Sequence, residues 1–200
     1  MNFLAHIYLS GDNSRIKLGN FMGDGIRGKD YKHYHTDIQI GVLLHRSIDS
    51  FTDFHPIFRQ SKYRLVPKFN HLSGIMVDMF YDHFLAKEWH LYHHEELSVF
   101  CQRFYQELES HYQELNLKTR NLLPYLKTQN WLERYANLTD LQQILQQMDH
   151  RFSFKSNMNE GVDDLYEHYD DFQREFHLFF KDLMVHSESE KRRLEEQFIK

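Results

Sequence analysis

Glycine occurs only 8 times and proline 3 times in the 200 residues, less than half of the roughly 12% that the two usually supply together. A many-stranded sandwich or barrel needs a turn former at every reversal, and this chain does not carry enough of them. Long helices are therefore predicted. A hydrophobic content of 41% is enough for one ordinary core, and the length suits a single domain. No repeat, low-complexity tract or Ser/Gly linker marks a boundary, so residues 1–200 read as one helical bundle.

Composition narrows the function classes. There is one cysteine, Cys101, which excludes an internal disulfide framework and a Cys-based zinc or iron–sulfur site. A metal, if used, must be held by histidine and carboxylate, and histidine is in surplus at 15 residues. The formal charge of −5 argues against bulk nucleic-acid binding. No stretch approaches the ~20 apolar residues of a membrane span. The opening Met1-Asn2-Phe3-Leu4-Ala5-His6 has no Lys or Arg and a short apolar run broken by His6, so no secretory signal is read there and a cytoplasmic location is expected.

Periodicity and punctuation place the helices. The first is expected over 2–10 and the second over Ser14 to Ile26, where Gly19, Gly23, Gly25 and, just beyond, Gly28 point to a close backbone approach. Thr36 with Gln39 forms a capping-box pattern that starts a helix ending near Phe54, because His55-Pro56 stops it and Pro56 opens the next. That one is expected to reach Leu65. Asn70 is expected to cap a very apolar helix through Trp89. Further helices are expected at 95–114, 130–136 and 140–151, the last opened by Thr139 with Gln142, and a long charged helix at 160–198.

Two of these helices carry chemistry on an apolar face. At about 100° per residue, Ile38, Val42, His45, Asp49 and Thr52 share one sector. The i, i+4 spacing puts the Cβ atoms of His45 and Asp49 about 6 Å apart, so both reach one ion or one phosphate. In the helix from Asn70, Ile75, Asp78, Met79, Asp82 and Ala86 share a side, with His83 about 100° round. Burying ionised carboxylates without a partner costs several kcal/mol, so Asp78 and Asp82 call for a cation. Asp24, among Gly23, Gly25 and Arg27, and His6 add further donors. Mixed His and Asp suits Mn²⁺, Mg²⁺, Fe²⁺ or Zn²⁺ at a hydrolytic site.

Plainer readings stand beside these. One His–Asp pair at helical spacing is commonly a hydrogen bond only. His33, His35, His93 and His94 fall in polar loops and read as solvated. Arg46 suits either a phosphate clamp or a surface salt bridge. Cys101, among Leu97, Phe100 and Phe104, reads as core, and Trp131 as an anchor between helices.

In its residues Met1 to His6, Gly19-Asn20, Gly23-Asp24, Arg27-Gly28, His45-Arg46, Ile48-Asp49, Thr52-Asp53, Asp78, Asp82 to Leu85, Leu165-Tyr166 and His168-Tyr169, the chain resembles the acyl carrier protein phosphodiesterase family. The resemblance runs nearly end to end, with the specific motifs concentrated in 1–89. It implies an all-α fold distantly related to the HD-type metal-dependent phosphohydrolases. It also implies Mn²⁺-favoured removal of 4′-phosphopantetheine from a serine of holo-acyl carrier protein. Asp24, His45, Asp78 and Asp82 become the expected metal ligands. His6, Asp49 and His83 become orienters, further ligands or a proton donor.

The charge distribution is compatible with an acidic partner protein. From Arg27 to Lys68 there are eight basic side chains against four acidic ones, and Arg27, Arg46, Arg59 and Lys62 are the candidates for phosphate or partner binding. Solvated helix faces would give the same count. Two other functions fit the residue pattern: the same metal chemistry applied to a nucleotide or other small phosphoester, and a non-catalytic helical binding module.

Overall fold

A computed structural model describes residues 1–149 and 157–199. Its helices are α1 (Phe3–Leu9), α2 (Ser14–Met22), α3 (Thr36–Phe54), α4 (Pro56–Phe69), α5 (Ser73–Lys87), α6 (Leu97–Ser110), α7 (Leu117–Gln129), α8 (Trp131–Arg134), α9 (Leu138–Asp149), α10 (Gly161–Glu167) and α11 (Tyr169–Ile199). Short 3₁₀ turns join several of them, and no strand occurs among the described residues. The all-α expectation holds.

α2 and α3 pack so closely that their backbones touch. A side chain on Gly19 would meet the carbonyl of Ile38, and one on Gly41 would meet that of Ile16. The glycines that weaken α2 as a helix are what let α3 approach it. α3 also packs on α11, and α5 runs between α1, α4 and α11. The shared core is strongly aromatic: Phe58, Phe80, Tyr81, Phe84, Phe172, Phe176, Phe179 and Phe180 are all almost fully buried. Cys101 belongs to the same buried core at zero exposure, and burial raises its thiol pKa, so it is core rather than nucleophile.

Several boundaries differ from the sequence expectation, each for a local reason. α3 starts at Thr36, but His35 caps it: its Nδ1 accepts from the Asp37 N–H, while Gln39 donates back to the Tyr34 carbonyl. α4 continues through Pro67 to Phe69, because a proline in the last turn leaves few carbonyls without a partner. Asn70, with positive φ (48°), ends α4 as its C-cap and does not cap α5, which begins at Ser73 after a 3₁₀ turn. At α9, Asn137 replaces Thr139 as the cap, accepting from Thr139 N and Asp140 N. That helix was expected to end at 151, and positions 150 and 151 lie outside the described residues. The segment expected as one helix over 160–198 is broken at His168 into α10 and α11. α7 was not expected at all; Asn116 caps it through the Thr119 N–H.

Candidate metal centre

The start of α1, the end of α2 and the middle of α3 converge on one cluster. His6 and His45 stack with ring centroids 4.2 Å apart. His6 Nε2 lies 3.3 Å from Asp49 Oδ1, and His45 Nε2 lies 3.0 Å from Asp49 Oδ2. Donor atoms of His6, His45 and Asp49 fall within 4.8 Å of one another, the one such group among the described residues. Asp24, in the Gly23–Gly25 turn, joins through His45 Nε2 at 3.3 Å. A side chain on Gly23 would collide with the His45 imidazole, so this glycine makes room for the ring.

Asn20, fully buried, fixes how His6 presents itself. Its amide nitrogen donates to the His6 carbonyl and to Ser10 Oγ, each at 2.9 Å, which assigns Oδ1 as the acceptor facing His6 Nδ1 at 2.7 Å. His6 therefore carries a proton on Nδ1, and burial favours its neutral form, followed by repulsion from His45. The neutral ring then turns the lone pair of Nε2 toward Asp49 Oδ1 and, at 3.2 Å, the Met1 carbonyl. Three acceptors face one another beside a half-exposed Asp49. A cation resolves that conflict, and an imidazole whose other nitrogen is tied to an amide carbonyl is the arrangement metal-binding histidines use. The donor set fits a divalent ion of the Mn²⁺ or Zn²⁺ type.

Electrostatically the cluster is tightly coupled. Burial alone would lower the pKa of His45, but hydrogen bonds to Asp24 and Asp49 outweigh it and raise it to about 9. Burial opposes ionisation of Asp49, and the two histidines overcome it, holding the carboxylate far below its usual range. Asp24 is likewise held ionised, first by its hydrogen bond to His45.

The remaining expected ligands have other partners. Asp78 lines the same cavity, but its Oδ1 accepts from the Met1 amino group at 2.7 Å. Asp82 has zero exposure and caps α1: its Oδ2 accepts from Leu4 N at 2.8 Å, while its buried Oδ1 has no hydrogen-bond partner among the described residues. The charge that the sequence reading sought in a metal is supplied by the first turn of a helix, where N–H groups point outward. His83 is away from the cavity, between the Tyr135 carbonyl and the Tyr169 hydroxyl.

The four basic candidates are scattered. Arg46 donates to the Ile26 carbonyl and lies over the Tyr31 ring, and Arg27 is exposed. Arg59 packs on Tyr63. The Lys62 ammonium reaches Gly74, beside Ile75 on the cavity rim.

The cluster opens into a cavity of about 700 Å³. Phe3, Phe21, Met79, Leu122 and Trp131 give it an apolar wall. Residues Lys118, Asn121 and Tyr125 of α7 also line it. Sequence reading missed Asn20 as an orienter and all of α7; Asn116 followed by Leu122, Leu123 and Leu126 was the available helix signal.

Fold and site together describe a helical protein with a His/Asp cluster on the wall of a mostly apolar cavity. A family model described as acyl carrier protein phosphodiesterase matches residues 1–183. A protein of that name from Photorhabdus laumondii is 32% identical over 94% of this chain and 96% of its own length. One from Pectobacterium atrosepticum is 31% identical over 92% and 96%. The chain belongs to the acyl carrier protein phosphodiesterase family. No solved structure matches it. Among the described residues, no helix is long and apolar enough to cross a membrane.

Proposed function

We propose that this protein hydrolyses the phosphodiester joining 4′-phosphopantetheine to a serine of holo-acyl carrier protein. In this reading His6, His45 and Asp49, with Asp24 beside them, hold a divalent cation, Mn²⁺ before Mg²⁺, Fe²⁺ or Zn²⁺. The observation that carries it is His6 Nε2 facing the Asp49 carboxylate and the Met1 carbonyl while Asn20 holds its other nitrogen. When bound, the ion supplies a water that is nucleophilic at neutral pH and positive charge against the phosphate.

The chain's own residues do the rest. Asn20 keeps the His6 proton on Nδ1 and so keeps Nε2 available. Asp49 stays ionised between the two rings. Asp24, more than half exposed, brings carboxylate to the lip of the cluster. The apolar wall of Phe3, Phe21 and Met79 offers the methylenes of the pantetheine arm a surface to leave water for. In the reaction, water oxygen bonds to phosphorus, the phosphorus–serine oxygen bond breaks, and the serine oxygen leaves with a proton as the apo-carrier hydroxyl.

The test is to mix purified protein, Mn²⁺ and holo-carrier and follow carrier mass. Loss of the phosphopantetheine moiety, with free 4′-phosphopantetheine formed, is the expected result. Turnover of nucleotide phosphoesters with none of the carrier would overturn the substrate assignment.

A further inference from the structure

The cavity presents a negative charge problem to the substrate proposed above. Asp24, Asp49, Asp53 and Asp78 all line it, with the Met1 amino group paired to Asp78 and His45 set against Asp24 and Asp49, and a phosphodiester is itself an anion. At close range like charges repel by several kcal/mol at intermediate dielectric, so the cavity needs fixed positive charge where the phosphate sits. Lys118 is the one lysine or arginine among the described residues lining the cavity.

Its position suits that task. Lys118 belongs to the exposed side of α7 and forms no ion pair within 4 Å among the described residues. Its charge acts on Asp24, and a side chain built on Gly25 would come within 3.6 Å of its Cδ. Lys118 therefore stands at the edge of the His/Asp cluster with an uncommitted ammonium. Asn121 and Tyr125 follow at i+3 and i+7, one face of the helix, and both line the same cavity. The N-terminus of α7 is docked on the end of α2, where Asn116 donates from N to Met22 Sδ at 3.3 Å, just ahead of the Gly23–Gly25 turn. That contact fixes α7 against the segment that carries Asp24.

We propose that Lys118 is the phosphate-positioning residue of this site, its ammonium donating to a non-bridging oxygen of the diester, with the Asn121 amide as a second donor one turn on. The assignment rests on the phosphodiesterase reading and adds the residue that would select an anionic group there. The competing role is that Lys118 only steadies the Asp24 carboxylate.

Binding and turnover together separate these. Calorimetry with 4′-phosphopantetheine as the probe, at saturating Mn²⁺, is compared for the full-length wild type, Lys118→Gln and Lys118→Arg, alongside kcat and KM on holo-carrier. A lost charge-assisted hydrogen bond predicts that Lys118→Gln binds the probe about tenfold or more weakly, with KM raised and Mn²⁺ affinity unchanged. Lys118→Arg is expected to recover most of the affinity, because the surface position tolerates it. The proposal is overturned by a wild type that does not bind the probe, by wild-type affinity in Lys118→Gln, by no rescue from arginine, or by an equal loss of Mn²⁺ affinity. A wild type that binds the probe through Lys118 yet leaves holo-carrier intact would sink the carrier reading and leave the phosphate site standing.

Discussion

His6 and His45 lie ring on ring, 4.2 Å apart, and aim their Nε2 atoms at opposite oxygens of one carboxylate, Asp49. The two rings are driven apart in charge: burial keeps His6 neutral, while Asp24 and Asp49 raise His45 to about 9. A divalent ion on this cluster would replace the His45 proton as the positive charge, so metal and proton compete for it.

Mn²⁺ should therefore raise the melting temperature of the wild type. At a hundredfold excess over Kd the gain is about 2.7 kcal/mol. His6→Ala and Asp49→Ala should abolish the shift, and Asp82→Asn should retain it, because Asp82 serves the N-terminus of α1. Differential scanning calorimetry with and without Mn²⁺ reads all four proteins. An equal shift in Asp49→Ala would remove the cluster as the metal site.

Asn20 should matter through His6. Replacing it with Leu removes the acceptor for the Nδ1 proton and the amide donor to Ser10 Oγ, while the His6 carbonyl keeps the Ser10 hydroxyl as its donor. Loss of such an orienting partner weakens metal binding by about 10–100-fold, and the buried polar groups left behind cost about 1–3 kcal/mol. Mn²⁺ titration monitored by calorimetry checks the first figure and urea unfolding the second. Metal affinity unchanged in Asn20→Leu would make this residue structural only.

How far these features could be read from sequence depends on whether the deciding contact was local. The i, i+4 pair His45 and Asp49 was legible because helical spacing alone sets it, and the end of α3 was legible from His55-Pro56, whereas its cap is His35 and not the Thr36–Gln39 pair. Asp78 and Asp82 show the opposite case. Their place on a core-facing side was readable, but the partner that satisfies them comes from residues 1–5, at a separation no periodicity reports. α7 was missed since Pro124 lies inside it and interrupts the helical pattern.

The glycines make a graded prediction. A side chain at Gly19 meets a backbone carbonyl, that of Ile38, which cannot yield without moving α3. Gly19→Ala should therefore destabilise by about 3 kcal/mol, the upper part of the overpacking range. At Gly23 the obstacle is the His45 ring, so Gly23→Ala should cost less stability and more Mn²⁺ response. Urea midpoints and Mn²⁺ thermal shifts for the two variants should rank in opposite orders; the same order would mean the His45 ring is free to move aside.

Asp82 and His83 are neighbours whose titrations oppose each other. Burial raises the Asp82 carboxyl to about 7, against 3.8 unperturbed, so the folded state holds more protons than the unfolded one between those values. Stability from this group is present at low pH and is lost as pH rises toward 7. Burial lowers His83 to about 4, against 6.5. Its neutral ring accepts from the Tyr169 hydroxyl at Nε2 while Nδ1–H donates to the Tyr135 carbonyl. Stability from this group is full above pH 6.5 and is lost as pH falls toward 4. The two slopes oppose between pH 4 and 6.5 and largely cancel. Asp82→Asn keeps an acceptor for Leu4 N but cannot ionise, so its stability should climb with pH across that window and exceed that of the wild type at pH 8. His83→Gln removes the opposing slope, so its stability should fall from pH 4 to pH 6.5. Urea unfolding at pH 4.5, 6 and 8 checks both, and parallel profiles for the three proteins would remove these two groups as the source of the pH dependence.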